Sequence, residues 1–217
     1  MSVPTEQPHV RSRYLHSRRK RALDVLIAGA MLALASPLLA VAAVVIRLET
    51  HGDALYRQRR VGRDGVPFEL YKLRTMVTGA ETMGAGLAVN AGDDRITRAG
   101  ALLRRTSFDE LPNLINVLRG EMSVVGPRPT VQVQVDRYSP RQRRRLDALP
   151  GLTGWAQVNG RASLPWAERI ELDVWYLEHA SLRLDLRILA RTAQMALTGH
   201  GLYKGATGGW SEPPPID

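Results

Sequence analysis

The chain of 217 residues contains no cysteine, which excludes disulfides, thiolate nucleophiles and cysteine-ligated zinc. Histidine is sparse as well: His9, His16, His51, His179 and His200 are scattered, with no spacing that would pair two of them on one metal ion. Gly84-Ala85-Gly86 lacks the third glycine of a dinucleotide-binding loop, and there is no P-loop. No segment repeats, and the length suits one domain with a real core but not two ordinary ones. What the chain does have is positive charge, +9 net and carried mostly by arginine. Such a balance suits nucleic acid, anionic lipid headgroups or phosphate-bearing small molecules, and charge alone does not choose among them.

Residues 25–46 form a run of 22 uncharged, mostly apolar residues, enough to cross a bilayer as a straight helix. A cleaved signal peptide is a poor fit, because the run is too long and no mature N-terminus follows it. Ser36-Pro37 sits at the middle, where proline removes a backbone hydrogen bond and serine can satisfy the freed carbonyl, so a sharp kink is expected. Both flanks are basic: Arg18, Arg19, Lys20 and Arg21 before the run, Arg47, Arg57, Arg59 and Arg60 after it. Under the positive-inside rule both ends prefer the cytoplasm. A helix that breaks at Ser36-Pro37 and leaves by the face it entered satisfies both observations; a kinked crossing helix is the alternative. Residues 1–20, polar and basic, read as a disordered arm lying against anionic lipid.

Beyond the apolar run, residues 56–61 and 68–76 flank the turn Gly62-Arg63-Asp64-Gly65 and predict a β-hairpin. With period two, Phe68, Leu70, Lys72, Arg74 and Met76 share a face, so two cations emerge side by side. They imply either a phosphate or carboxylate partner, or an edge strand protected by charge. Residues 81–92 read as a flexible loop. Residues 141–145 are a second basic run whose simplest reading is a solvated or lipid-facing surface. Residues 167–178 and 182–197 are expected to be helical. In the latter, Leu182, Leu186, Leu189, Ala190, Ala193 and Leu197 oppose Arg183, Arg187 and Arg191, so the helix either lies on a bilayer or packs on the core. The tail 204–217 is expected to be disordered.

The most informative stretch runs from Ser107-Phe108-Asp109-Glu110-Leu111-Pro112 to Gly126-Pro127-Arg128-Pro129. Leu111, Leu114, Ile115 and Leu118 fall on one helical face, and Ser107 with Glu110 reads as a capping box. Pro112 is awkward as a fifth helical residue, so a start nearer Asp109 is the other register. In both, Asp109 sits in the first turn, where the dipole favours a carboxylate and free N–H groups can meet a phosphate. Asp109 and Glu110 either cap a helix or carry chemistry. Pro127-Arg128-Pro129 reads either as two prolines stiffening the backbone that presents Arg128 or as a turn after a helix with Arg128 solvated.

This stretch resembles the signature of the bacterial sugar transferases, the monotopic phosphoglycosyl transferases. The likeness rests on Asp109-Glu110, Asn116-Val117-Leu118-Arg119-Gly120 and Met122-Ser123-Val124-Val125-Gly126-Pro127-Arg128-Pro129. It extends from about Arg19 to about Tyr203 through Lys20-Arg21-x-x-Asp24, Gln58-x-Arg60-x-Gly62, Tyr71-Lys72-x-Arg74, Pro150-Gly151-Leu152-Thr153-Gly154-Trp155-Ala156-Gln157-Val158-Asn159-Gly160-Arg161 and Glu171-Leu172-Asp173-x-x-Tyr176. Glu121 departs from the Asp that many relatives carry. The resemblance implies an α+β, largely helical monotopic protein at the cytoplasmic face of the inner membrane. Its parts are a basic arm (1–20), a re-entrant helix (21–47), a catalytic domain (48–203) and a tail (204–217). It implies transfer of a sugar-1-phosphate from a UDP-sugar to polyprenyl (undecaprenyl) phosphate, releasing UMP and initiating glycan assembly. No nucleic acid partner is expected. Asp109 would be the nucleophile and a Mg²⁺ contact, with Glu110 assisting. Arg104, Arg128 and Arg161 would bind phosphate, Lys72 would support them, and Ser36 and Pro37 would break the membrane helix. Trp155 and Asn159 either line the nucleotide or sugar site or, for Trp155, belong to the core. The other class left open is a basic, membrane-tethered binding protein, for nucleic acid or anionic lipid, with a decayed site.

Overall fold

The structure, a computed structural model, describes residues 12–83, 92–160 and 164–198. It is mostly helical with two small sheets, an α+β arrangement dominated by one long N-terminal helix. The elements in chain order are α1 (Arg18–Glu49), β1 (Leu55–Val61), β2 (Pro67–Leu73), α2 (Arg98–Thr106), α3 (Asn113–Arg119) and β3 (Ser123–Val125). There follow α4 (Gln132–Val135), α5 (Pro140–Arg143), β4 (Gly151–Thr153), α6 (Trp155–Val158), α7 (Trp166–His179) and α8 (Leu182–Thr198).

Helix α1 continues through Ser36-Pro37. Proline 37 cannot donate to the carbonyl four residues earlier, and the Ser36 hydroxyl donates to that same Ala33 oxygen at 2.8 Å. The expected repair is therefore present, while the helix is not divided in two. Both ends of α1 are tied to the rest of the molecule. Arg21 donates to the Val117 and Leu118 carbonyls at the C-terminus of α3. Glu49 accepts from the Arg98 and Ala99 N–H groups at the N-terminus of α2. Each charge matches the helix end it meets. Between them, Leu32 packs on the core cluster that includes Ala28 and Leu114, and Leu39 on the one formed by Ile46, Ala54 and Leu73. Helix α1 packs on α2 and α3, the two helices that flank the turn carrying the two carboxylates. The outer face, with Leu26, Leu34, Leu38, Val41 and Leu48, is exposed.

Residues 12–20 were expected in a disordered arm. They instead form a 3-10 turn, Arg13–His16, and the start of α1, held by Ser12 bonding to Leu177 and Ala180. Lys20 and Asp24 are buried: the ammonium reaches Asp24 and Asp185, each at 3.0 Å, while Asp24 accepts from the Ser123 hydroxyl and the Val124 N–H.

The predicted hairpin forms as β1 and β2, antiparallel, with Tyr56 opposite Lys72 and Arg60 opposite Phe68. Asp64 and Gly65 turn at positive φ, as the sequence of the turn requires. Asn116, fully buried, joins the hairpin to α3: its side chain accepts from Tyr71 N–H and donates to the Glu69 carbonyl and to Glu121. The second sheet, parallel β3–β4, was not anticipated. Its glycines allow two backbones to touch: a Cβ on Gly151 would lie 2.1 Å from Gly126 N, and one on Gly154 would lie 2.1 Å from Gly126 O.

Helix α8 packs on the core through Leu184, Asp185 and Ile188, with Leu189 of the predicted face packed beside them; Leu182 and Leu186 are exposed. The shift is set by Asp185, which faces inward because Lys20, Tyr14 and Tyr176 meet it there. The basic run also divides. Arg144 and Arg145 are buried on Glu178 and Asp173, and Arg141 pairs with Glu171 at the surface. Of the expected loop, 84–91 lies outside the described residues, as does the tail 204–217.

Candidate active site

The local geometry around Asp109 and Glu110 differs from the predicted helix start. Ser107 adopts a left-handed conformation (φ 55°) and closes α2, its N–H bonding to the Arg104 carbonyl, and its side chain makes no capping bond. Asp109 and Glu110 then occupy a single 3-10 turn, Phe108–Glu110, and α3 begins only after Pro112. The capping box does not form because Glu110 is drawn elsewhere. The buried face of α3 is Asn113, Leu114, Asn116 and Val117; of the predicted stripe Leu114 is buried and Leu111 packs on the core, while Leu118 is exposed.

Glu110 is held by two cations. Lys72 Nζ, from β2, lies 3.2 Å from its Oε1, and Arg128 Nη2 lies 2.7 Å from the same oxygen. The Nη1 of Arg128 reaches Oε2 at 3.4 Å, completing a fork. Burial resists ionisation of Glu110, but Arg128 and Lys72 outweigh it and hold the carboxyl below the usual carboxylate range. Burial also pushes Lys72 down, against the pull of Glu110.

Asp109 has the opposite environment. It is buried, 8% exposed, and among the described residues its carboxylate accepts no hydrogen bond. Burial first, then the neighbouring Glu110 charge, raise its pKa to about 6, against the opposing pull of Lys72, Arg104 and Arg128. Arg104 lines the same cavity and is oriented by its Nε–H donating to Thr75 Oγ1 at 2.7 Å. Thr75 is itself fixed: a Cβ on Gly100 would lie 2.0 Å from its carbonyl oxygen, and Thr97 N–H bonds to that oxygen.

Four of the sequence-predicted site residues therefore meet Asp109 in one cavity: Glu110, Lys72, Arg104 and Arg128. Arg161 lies outside the described residues. Ser36 and Pro37 are in α1 and do not line the cavity. Arg74 does not emerge beside Lys72. The strand ends at Leu73, and Arg74 turns to bond the carbonyls of Thr50 and His51. Trp155 and Asn159 also lie off the cavity, Trp155 stacked on Trp175 with centroids 5.0 Å apart and Asn159 accepting from Arg191.

Sequence reasoning missed the support behind Arg128. Arg145 Nη2 donates to the Arg128 carbonyl at 3.0 Å and to Asp173 Oδ2 at 2.6 Å, so a buried ion pair fixes the backbone that presents Arg128. The signal available was Asp173 in Glu171-Leu172-Asp173-x-x-Tyr176, an acid at a core-facing position of α7 that requires a cation.

The cavity, about 1090 Å³, extends from Met31 on α1 past the hairpin and the dyad to Leu189 and Thr192 on α8. It exceeds what one small ligand commonly fills. Among the described residues no group of three or more His, Cys, Asp or Glu is placed to hold a metal ion.

The comparisons with known proteins bear on this site. The family described as Bacterial sugar transferase matches residues 15–199. The chain belongs to that family. It is 47% identical over 193 residues to the UDP-glucose:undecaprenyl-phosphate glucose-1-phosphate transferase of Caulobacter vibrioides, covering 85% of this chain and 72% of that one. To the Exopolysaccharide production protein ExoY of Rhizobium meliloti it is 36% identical over 215 residues, 93% of this chain and 94% of the other. The UDP-N-acetylgalactosamine-undecaprenyl-phosphate N-acetylgalactosaminephosphotransferase of Aeromonas hydrophila is 42% identical over 188 residues, 84% of this chain but 44% of its own length.

Proposed function

We propose that this sugar transferase moves a sugar-1-phosphate from a UDP-sugar to a polyprenyl phosphate through a covalent intermediate on Asp109, an early membrane step of glycan assembly. The observation that carries the reading is the unequal pair. Glu110 is fully engaged by Lys72 and Arg128, while Asp109 lies beside it in the cavity with no hydrogen bond among the described residues. A carboxylate without a partner is free to attack.

The Asp109 carboxylate would attack the phosphorus bonded to the sugar, forming a P–O bond to the enzyme as the anhydride bond breaks and UMP departs with the bridging oxygen. A phosphate oxygen of the polyprenyl carrier then attacks the same phosphorus, and the bond to Asp109 breaks. Its carboxylate is restored, and the product is a sugar diphospholipid. The transfer is thus divided into two displacements, and the lipid phosphate meets an activated acyl phosphate instead of the anhydride. Arg104, and Arg128 once Glu110 shares it with substrate, gather positive charge around the transferred group. The donor set suits Mg²⁺: one free carboxylate, Asp109, with substrate phosphates and water completing the shell. The ion, when bound, would supply charge neutralisation between the phosphates.

Association with a membrane follows from α1, which is long and apolar enough to cross one and is exposed along its outer face. We read α1 as monotopic, seated in the cytoplasmic leaflet. The support is that Arg21 and Glu49, near its two ends, both bind the same catalytic domain, and a bilayer-crossing helix would carry those ends to opposite sides. The cavity opens beside Met31, on the apolar helix from which a lipid phosphate would arrive.

The deciding experiment is a donor panel. With purified protein and Mg²⁺, one UDP-sugar should release UMP before any polyprenyl phosphate is added, in an amount near one per enzyme, and steady-state kinetics should be ping-pong. UMP release that requires both substrates together would remove the covalent step.

A further inference from the structure

Two buried polar groups on the cavity wall are unused by the dyad chemistry. Gln157, on α6, is 8% exposed, and among the described residues neither its Oε1 nor its Nε2 has a hydrogen-bond partner. Asp173, on α7, is 2% exposed; its Oδ2 meets Arg145, and its Oδ1 has no partner among the described residues. Both residues line the cavity that holds Asp109. A buried polar atom left unmatched is costly, so unmatched donor and acceptor atoms lining one cavity mark a place where a ligand completes them.

We infer that this wall is the nucleoside subsite, with the Gln157 carboxamide pairing with the pyrimidine edge of the base and Asp173 Oδ1 accepting from a ribose hydroxyl. The inference rests on the nucleotide-sugar reading given above and assigns residues to a part of the donor which that reading left unassigned.

The chemistry of each group selects its partner. A carboxamide offers one donor and one acceptor side by side, which matches an imide edge carrying N–H next to C=O. A half-satisfied buried carboxylate is an acceptor only, and ribose hydroxyls are the donors that a nucleotide offers to such a group. Burial raises the pKa of Asp173 to about 6 even though Arg145 stands beside it, which agrees with an oxygen that lacks a donor. The position is consistent as well. Arg145 bonds both Asp173 and the Arg128 carbonyl, so the proposed ribose contact is one side chain away from the arginine that faces Glu110. The same cavity reaches Met31 on the apolar helix, where the lipid acceptor would enter. Gly154 keeps the carboxamide close to the backbone: a Cβ there would lie 2.8 Å from Gln157 Oε1.

The test uses the full-length protein in detergent or lipid discs, with UMP and three analogues as probes, binding being read by calorimetry. The carboxamide can turn over to meet cytosine, so the informative base analogue is 3-methyl-UMP, which cannot donate from N3. Wild type should bind UMP roughly ten- to hundredfold more tightly than 3-methyl-UMP. Gln157→Leu, similar in size, should bind both alike. Against 2′-deoxy- and 3′-deoxy-UMP, wild type should lose a similar factor for at least one of them, and that ratio should shrink in Asp173→Asn. In turnover, Gln157→Leu should raise KM for the donor with kcat and the KM for polyprenyl phosphate little changed. If that variant keeps the wild-type preference for UMP over 3-methyl-UMP, or if its acceptor KM rises instead, the subsite is wrong while a chain that still releases UMP keeps its proposed function. If wild type releases UMP from no UDP-sugar and binds none of these nucleotides, the proposed function and the subsite fail together.

Discussion

Two clusters of charge in this molecule are built from the same ingredients and end differently. At the start of α1, Lys20 lies between Asp24 and Asp185, and all four carboxylate oxygens are engaged. Asp24 accepts from Lys20, Ser123 and Val124 N–H; Asp185 accepts from Lys20, Tyr14 and Tyr176. At the cavity, Lys72 and Arg128 converge on Glu110 and leave Asp109 unbonded among the described residues. The closed cluster has no room for a ligand and fastens α1 to the core. The open one has a carboxylate and cations facing a cavity, which is what chemistry on a phosphate needs. Buried charge is thus a mark of function only where some of its hydrogen-bonding capacity is left over.

Breaking the open cluster should have the largest effect on activity. Asp109→Asn removes the oxygen that would form the acyl phosphate, so UMP release should fall by about a thousandfold or more. Stability should move the other way. The folded-state pKa of Asp109, about 6, is above the ordinary 3.8, so between those values the folded state holds a proton that the unfolded state has released. By linkage this group's contribution lowers stability as pH rises through that window, by up to about 3 kcal/mol. Asp109→Asn should therefore be the more stable protein at pH 7, with the advantage vanishing below pH ~4. Thermal melts across pH check the sign; a destabilised Asp109→Asn would show that the carboxylate is a structural partner after all. In the wild type, activity should rise with pH through about 6, as the nucleophile ionises.

The closed cluster should respond in reverse. Lys20→Met leaves Asp24 and Asp185 buried without their shared cation, a defect worth about 3–5 kcal/mol. Denaturant unfolding of the purified protein would measure it. The fraction that remains folded should release UMP at close to the wild-type rate, because Lys20 does not line the cavity. A variant that is stable but inactive would mean that the two clusters are coupled through β3, which joins Ser123 to the Gly126-Pro127-Arg128 turn.

The sequence made some of this legible and hid the rest for physical reasons. Period-two alternation and a Gly-Arg-Asp-Gly turn sufficed for the hairpin, because its register is local. The ordered motifs sufficed to bring Asp109, Glu110, Lys72, Arg104 and Arg128 into one list, and the structure gathers those five on one cavity. The Ser107–Glu110 capping box failed because a local bond competed with two cations from distant elements, and the cations won. The buried face of α8 is shifted because Asp185 turns inward to Lys20, 165 positions earlier in the chain and 3.0 Å away in space. Arg145 is hidden likewise: its run of arginines reads as a surface, while the acid that buries it, Asp173, stands on α7. In each case a charged residue takes a partner too far along the chain for periodicity to reveal.

The smallest expected effect gives the scale against which both clusters should be read. Arg141 grips Glu171 with good geometry, Nε to both carboxylate oxygens at 3.0 Å and Nη2 to one at 2.7 Å. Yet the two side chains are 58% and 50% exposed, so water and salt screen the pair, and Arg141→Ala should cost no more than about 1 kcal/mol. Its pH dependence has the opposite sign to that of Asp109. Arg141 holds the Glu171 carboxyl below its ordinary 4.5, so whatever the pair contributes is present above that value and fades as pH falls. Raising salt should erase the difference between Arg141→Ala and wild type, while leaving the cost of Lys20→Met largely intact, because the buried ammonium is reached by no mobile ion. Equal salt sensitivity in the two variants would mean that solvent enters the anchor. The contrast between a closed structural cluster and an open chemical one would then fail at its closed end.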